Sequence, residues 1–162
     1  LIGVLPYLIK QFKKLYSQHT IYNFYTCKLM QSRLNIFLAE DDEDDRDFFK
    51  KALVSLSTEH NLTVVNNGEE AIDLLKNGDI HPDYIFLDIN MPKIDGLGCL
   101  QFIKQNFPGH KFPVIMLSTA FTNDVSNQCY QHGASVYIQK PARLDELKDV
   151  LRYCIPELTR PA

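Results

Sequence analysis

The sequence has 162 residues but no tryptophan, no Cys-x-x-Cys pair and no apolar run long enough to span a membrane. Its four cysteines are widely spaced and have no histidine at metal-ligand spacing, which argues against a zinc site and a disulfide framework. Apolar residues 1–9 are followed by lysines instead of being preceded by them, the reverse of a secretion signal. The Gly-x-x-x-x-Gly-Lys-Ser/Thr loop of nucleotide hydrolases is also missing. We therefore expect a cytoplasmic protein without a membrane span.

Carboxylates are absent from the start of the chain. All 20 acidic residues follow Arg33, so residues 34–162 hold 20 acidic and 12 basic residues, a net charge of −8. Such a surface repels the phosphates of nucleic acids and attracts cations. Direct nucleic acid binding by this part of the chain is therefore not expected.

Residues 1–33 also lack a clean helical or strand period, and Met30 stands just before the first strong strand. We interpret them as an N-terminal extension, non-native or disordered, ahead of a natural start at Met30. The alternative is an amphipathic anchor or a partner-binding arm.

From Asn35 onward, short apolar runs alternate with amphipathic stretches. The predicted strands are 36–39, 62–65, 84–88, 114–117 and 136–138, and the predicted helices are 48–56, 69–75, 97–103, 125–130 and 144–151. This alternation predicts an α/β fold, a doubly wound five-stranded parallel sheet with helices on both faces. Ligands of such sheets bind at the carboxyl ends of the strands.

Carboxylates follow two of the predicted strands directly. Glu40 and Asp41 come after the first strand, and Asp88 ends the third. Two like charges about 4 Å apart repel by roughly 4 kcal/mol at an effective dielectric constant near 20, so this cluster favours a bound divalent cation. Oxygen ligands with room for water suit Mg²⁺. We interpret four acidic residues further on as a solvated loop: Glu43, Asp44, Asp45 and Asp47.

Two more strand ends bring a hydroxyl and an ammonium to the same edge. Ser118 and Thr119 follow the fourth strand, and Lys140 follows the fifth. Together with Mg²⁺ these groups could neutralise the charge of phosphoryl transfer. The spacing back from Lys140 favours Ser118 over Thr119 as the hydroxyl donor. The five histidines are scattered, so no internal phosphate donor is proposed.

The polar segments at the strand ends carry a family resemblance. The chain resembles the response regulator receiver domain of CheY-like, flavodoxin-like fold in these segments: Leu38-Ala39-Glu40-Asp41-Asp42, Leu87-Asp88-Ile89-Asn90-Met91-Pro92, Asp95-Gly96, Met116-Leu117-Ser118-Thr119 and Tyr137-Ile138-Gln139-Lys140-Pro141. The resemblance covers about residues 34–155 and implies a receiver domain over 34–162 with strand order 2-1-3-4-5.

The resemblance also implies roles for single residues. They are Asp88 as phosphoacceptor, Asp41 as direct Mg²⁺ ligand, Glu40 as a ligand through water, the Asn90 carbonyl as a third ligand, Ser118 as the moving hydroxyl, Lys140 as the pairing cation and Tyr137 as the aromatic switch. From the sequence alone, a half-exposed strand residue is the favoured interpretation of Tyr137, and only the resemblance implies the switch role. Pro141 would follow a cis peptide bond that aims the lysine. Phe121 departs from the more usual polar residue beside the acceptor.

The implied function is phosphorelay signalling. A sensor histidine kinase or phosphotransfer protein would donate the phosphoryl group, and the chain would catalyse at most its own phosphorylation and dephosphorylation. Because only 22 residues follow Lys140, we expect a stand-alone receiver that signals to an unknown protein target. The output surface would be helix 4, strand 5 and helix 5, which could also form a homodimer.

Two other functions stay open. A phosphatase of the haloacid dehalogenase type also uses a nucleophilic aspartate at a strand end, but it needs a second aspartate where this chain has Asn90. A pseudo-receiver would act only as a binding module and would lack part of the acidic set, which this chain retains.

Overall fold

Five β-strands alternate with five α-helices in the part of the chain that the structure, a computed structural model, describes: residues 33–56, 60–78, 80–109 and 111–159. The predicted N-terminal extension lies outside this part, except for Arg33. In chain order the elements are β1 Leu34–Ala39, α1 Glu43–Leu56, β2 His60–Val65, α2 Gly68–Asn77, β3 Tyr84–Asp88, α3 Gly96–Asn106, β4 Val114–Ser118, α4 Asn123–Gln131, β5 Val136–Gln139, α5 Leu144–Cys154 and a 3-10 helix, Pro156–Thr159.

The helix boundaries follow from capping residues. The side chains of Asn67, Asp95 and Thr122 accept hydrogen bonds from backbone N–H groups in the first turns of α2, α3 and α4. At the other end of α2, Gly78 adopts the left-handed conformation, with φ of 73°, that ends many helices. Asn-Gly pairs, Asn67-Gly68 and Asn77-Gly78, therefore mark both ends of α2.

The strands form one parallel sheet in the order β2-β1-β3-β4-β5. Every residue of β3 and β4 is buried, as expected for central strands covered on both faces. The predicted doubly wound α/β fold and its strand order are confirmed.

Alternate strand residues pack against helices on opposite faces of the sheet. On one face, Phe37 and Leu87 belong to a core that includes Leu100 of α3. On the other, the Phe49 ring of α1 meets the Phe86 ring edge-on, with centroids 5.0 Å apart. Helix α1 therefore packs on this face of the sheet, and Arg46 in its N-terminal part lies close to the carboxyl end of β1.

No helix in the described ranges is long and apolar enough to cross a membrane.

Candidate functional site

Backbone pairing continues just beyond the strands and aligns the polar residues that follow them. The Glu40 N–H donates to the Val65 carbonyl at 3.1 Å, and the Lys140 N–H donates to the Ser118 carbonyl at 2.7 Å. Asp88 is the last residue of β3 and pairs with β4 in the sheet register. Since these strands are parallel, their carboxyl ends bring the three side chains to one edge of the sheet.

The Lys140 ammonium lies at the centre of the acidic cluster. Its Nζ is 2.7 Å from Glu40 Oε2, 2.7 Å from Asp45 Oδ2 and 2.7 Å from Asp88 Oδ1. Burial by itself would lower the pKa of Lys140, but the three carboxylates together raise it above its ordinary value. Lys140 therefore stays charged at any physiological pH.

Glu40, Asp41 and Asp88 form a group that could hold a cation, with one ligand atom from each lying within 4.8 Å of the others. Asp88 Oδ2 accepts a hydrogen bond from the Asn90 N–H at 2.7 Å. Buried Asp88 Oδ1 has only the ion-pair contact with Lys140 and no hydrogen bond of acceptable geometry. A buried anionic oxygen without a hydrogen bond, in a set of oxygen ligands, fits a hard divalent cation.

The carboxyl group of Glu40 has a raised pKa. Burial, and secondarily the nearby Asp88 carboxylate, raise the pKa of Glu40 to about 7, although Lys140 acts in the opposite direction. Glu40 is only 2% exposed. A divalent cation beside this carboxylate would favour its ionised form.

The predicted ligands differ in exposure. Asp41 is exposed at the mouth of the site, whereas Glu40 and Asp88 are buried. Asn90 lies next to Asp88 through its backbone N–H, and a metal-ligand role for its carbonyl stays a prediction.

Ser118 and Tyr137 meet at one backbone carbonyl. Ser118 Oγ and the Tyr137 hydroxyl both donate to the Ala120 carbonyl, each at 2.8 Å. Tyr137 is 2% exposed, so its interpretation as a half-exposed strand residue is wrong. Thr119 is exposed, whereas Ser118 is buried, which places Ser118 deeper in the site.

Phe121 covers the ring of Tyr137. The two rings meet edge-on with centroids 5.6 Å apart, and Phe121 remains 49% exposed. An aromatic side chain thus stands one residue beyond the carbonyl that Ser118 and Tyr137 share.

Two site residues of α1 were missed by the sequence interpretation. Asp45 was assigned to a solvated loop, but it lies in the first turn of α1 and contacts Lys140. Arg46 Nη1 donates to the Glu40 carbonyl at 3.1 Å and to the Asp41 carbonyl at 2.6 Å. The available signal was a single arginine within an acidic run.

The predicted cis bond before Pro141 is wrong. No cis peptide bond occurs anywhere in the described residues, so the Lys140–Pro141 bond is trans. The trans form is the intrinsically favoured one for a bond to proline, by about 0.5–1 kcal/mol. In this conformation Lys140 still reaches all three carboxylates.

Comparison with known proteins agrees with this geometry. The family model described as "Response regulator receiver domain" matches residues 36–152. Response regulator Rcp1 of Synechocystis is 30% identical over 117 residues, which are 69% of this chain and 80% of Rcp1. The chain spans only 10% to 22% of the length of several larger curated relatives, among them histidine kinases and DNA-binding transcriptional regulators.

Two solved structures have the same fold over nearly their whole length. The Mn²⁺-bound form of Rcp1 aligns with a TM-score of 0.70 and 27% identity, covering 80% of this chain and 99% of that one. The phosphorylated cyanobacterial phytochrome response regulator RcpA aligns with a TM-score of 0.70 and 30% identity over the same shares. The family model covers most of the chain, and the acidic edge, the partly buried lysine and the strand order agree with it, so the chain belongs to the response regulator receiver domain family.

Proposed function

We propose that this receiver domain accepts a phosphoryl group on Asp88 in a Mg²⁺-dependent reaction and passes the signal to a partner protein. The observation that carries the proposal is the contact between Asp88 Oδ1 and the Lys140 ammonium at 2.7 Å, beside an acidic group that could hold a cation. The donor is the phosphohistidine of a sensor histidine kinase or of a phosphotransfer protein.

The chemistry follows from the positions of the side chains. A carboxylate oxygen of Asp88 attacks phosphorus, the bond from phosphorus to the donor nitrogen breaks, and the imidazole leaves with the electron pair and takes up a proton. Lys140 is already beside the attacked group and needs little movement to pair with a phosphoryl oxygen. The backbone N–H of Asn90 holds the other oxygen of the Asp88 carboxylate in place.

Glu40, Asp41 and Asp88 are the residues that would hold the metal ion, with the Asn90 carbonyl as a further ligand. A bound Mg²⁺ would neutralise part of the charge on the transferred phosphoryl group. Support comes from the oxygen-only ligand set and from a relative whose structure is described as Mn²⁺-bound.

The signal would leave through Ser118 and Tyr137. Ser118 must give up its hydrogen bond to the Ala120 carbonyl before its hydroxyl can reach a phosphoryl oxygen, and that carbonyl is shared with Tyr137. Phosphorylation therefore biases the packing of the loop between β4 and α4. The surface of α4, β5 and α5 is the output surface, either for a protein target or for a second copy of the chain.

Two alternatives fit the site less well. In a phosphatase of the haloacid dehalogenase type, position 90 would supply a carboxylic acid, and here it supplies an amide side chain and a backbone N–H. A pseudo-receiver would lack part of the acidic set, whereas all three carboxylates lie together here. The chain on this proposal is no turnover enzyme and acts only on its own acyl phosphate.

A cytoplasmic location is part of the proposal. Among the described residues, Cys99, Cys129 and Cys154 are buried free thiols, and burial raises the pKa of Cys99 and of Cys154 to about 12. Such thiols are unreactive and form no disulfide framework that would require an oxidising compartment.

Labelling with a small phosphate donor tests the proposal. The parent protein is incubated with acetyl phosphate in Mg²⁺ or in EDTA, and the phosphorylated fraction is read on a gel that retards phosphoproteins. We expect up to one phosphoryl group per chain with Mg²⁺, and none in EDTA or in the Asp88→Asn variant. Equal labelling of Asp88→Asn would refute the assignment. Steady release of phosphate from a phosphate ester would instead favour the phosphatase.

A further inference from the structure

Asp45 contacts the site from outside the metal-binding group. It lies in the first turn of α1, 95 residues before Lys140, and its Oδ2 accepts a hydrogen bond from the Lys140 ammonium at 2.7 Å. Among the described residues, the group that could hold a cation comprises Glu40, Asp41 and Asp88 and leaves out Asp45. Asp45 therefore acts on the site through the lysine.

The three acceptors around the ammonium are not equivalent. The contact with Asp45 has hydrogen-bond geometry, whereas Asp88 Oδ1 lies at the same distance but receives no hydrogen bond. The ammonium therefore makes a hydrogen bond with Asp45 and an ion pair with Asp88 at the same distance.

Asp45 is itself held by the helix. Its N–H donates to Asp42 Oδ1 at 3.0 Å, and the next residue, Arg46, donates to two carbonyl groups of the loop before α1. The first turn of α1 is consequently tied to the acidic loop at several points. A carboxylate on this turn has a defined position although its side chain is 41% exposed.

We infer that Asp45 is a positioning residue for phosphoryl transfer: it orients the Lys140 ammonium toward the position that the phosphoryl group on Asp88 will occupy. This inference rests on the proposed function. The lysine side chain is flexible because it has four rotatable bonds. A fixed acceptor such as Asp45 reduces the number of conformations that the ammonium adopts before the phosphoryl group arrives.

Asp44 provides a matched control. It is the neighbouring residue on the same helical turn and is exposed, and its side chain makes no hydrogen bond or ion pair within the described part of the chain. Asp44→Asn and Asp45→Asn remove the same charge from neighbouring positions of one helical turn. A difference between them therefore reports the contact with Lys140 and not the general field of the acidic helix.

The test compares acetyl phosphate labelling rates at saturating Mg²⁺ for the parent, Asp44→Asn, Asp45→Asn and Asp45→Glu. We expect the maximal rate of Asp45→Asn to fall roughly tenfold, as a misplaced catalytic group would cause. The acetyl phosphate concentration at half-maximal rate should not change. Asp44→Asn should stay within about twofold of the parent, and Asp45→Glu should recover part of the lost rate because it keeps the carboxylate.

A double-mutant cycle shows whether the effect passes through the lysine. In a Lys140→Ala background, Asp45→Asn should cause no further loss of the residual labelling rate. Mg²⁺ affinity, measured by calorimetric titration, should be the same for Asp45→Asn and Asp44→Asn. Equal rates for these two variants, or an undiminished effect without Lys140, would overturn the inference. A parent protein that takes up no phosphate would overturn the proposed function as well.

Discussion

Replacing Glu40 by glutamine should stabilise the metal-free protein at alkaline pH. Glu40 is 2% exposed, and burial followed by the charge of Asp88 raises the pKa of its carboxyl from an ordinary 4.5 to about 7. The folded state therefore holds the Glu40 proton more tightly than the unfolded state does. Glutamine has nearly the same shape and carries no charge, so it avoids the cost of ionising this position.

The sign and size of the effect follow from proton linkage. A raised carboxyl pKa contributes stability that is fully present below pH 4.5 and is lost as the pH rises toward 7. Each pH unit in that window corresponds to about 1.4 kcal/mol, so Glu40 ionisation costs about 3 kcal/mol of unfolding free energy above pH 7. The cost applies without a metal ion, and we expect Mg²⁺ to stabilise the parent more than the variant.

Urea unfolding in EDTA, followed by far-UV circular dichroism, measures this difference. The parent and Glu40→Gln should have similar unfolding free energies near pH 4.5, and the variant should be more stable by about 3 kcal/mol at pH 8. Glu146→Gln, at an exposed position in the first turn of α5, is the control and should show little change. The reasoning fails if the difference between parent and Glu40→Gln is independent of pH, or if the parent is the more stable protein at pH 8.

Two further substitutions test the backbone around the site. Arg46→Met removes the hydrogen bonds to two carbonyl groups of the acidic loop, so calorimetry should show Mg²⁺ binding weakened about tenfold, whereas Lys50→Met should not weaken it. Tighter binding by both variants would mean that only net charge matters. A Cβ on Gly96 would collide with the carbonyl oxygen of Asp88, so Gly96→Ala should lose about 2 kcal/mol of unfolding free energy in urea titrations. Gly109→Ala, where a Cβ meets only open space, should leave stability nearly unchanged, and equal stability of the two variants would contradict the packing argument.

The sequence indicates the sheet and most of the site because both depend on local patterns. Apolar runs mark the buried strands, and parallel strands necessarily end on one edge. The sequence therefore predicts, without any knowledge of helix packing, that Glu40, Asp88 and Lys140 lie close together. The contacts at 2.7 Å show how closely that edge gathers them.

The contribution of α1 could not be predicted in the same way. Whether Asp45 or Asp44 faces the site depends on the rotation of the helix, which is set by distant packing such as the ring contact between Phe49 and Phe86. The burial of Tyr137 likewise depends on a hydrogen bond to a loop carbonyl and on the cover of a neighbouring aromatic ring. A hydrophobic pattern with a period of 2 or 3.6 residues predicts neither the rotation of α1 nor the burial of Tyr137.

The charges of the site explain why we expect a cation to bind before the phosphoryl donor does. Three carboxylates, those of Glu40, Asp45 and Asp88, contact the Lys140 ammonium. A fourth, that of Asp41, lies in the acidic group with Glu40 and Asp88. A phosphoryl donor is itself an anion, and its approach to this cluster is opposed at short range. Repulsion of the same kind, from the Asp88 carboxylate, adds to burial in raising the pKa of Glu40. On the proposed function, the acidic group that raises the pKa of Glu40 would also make phosphoryl uptake depend on the metal ion, so one electrostatic property would link stability and function.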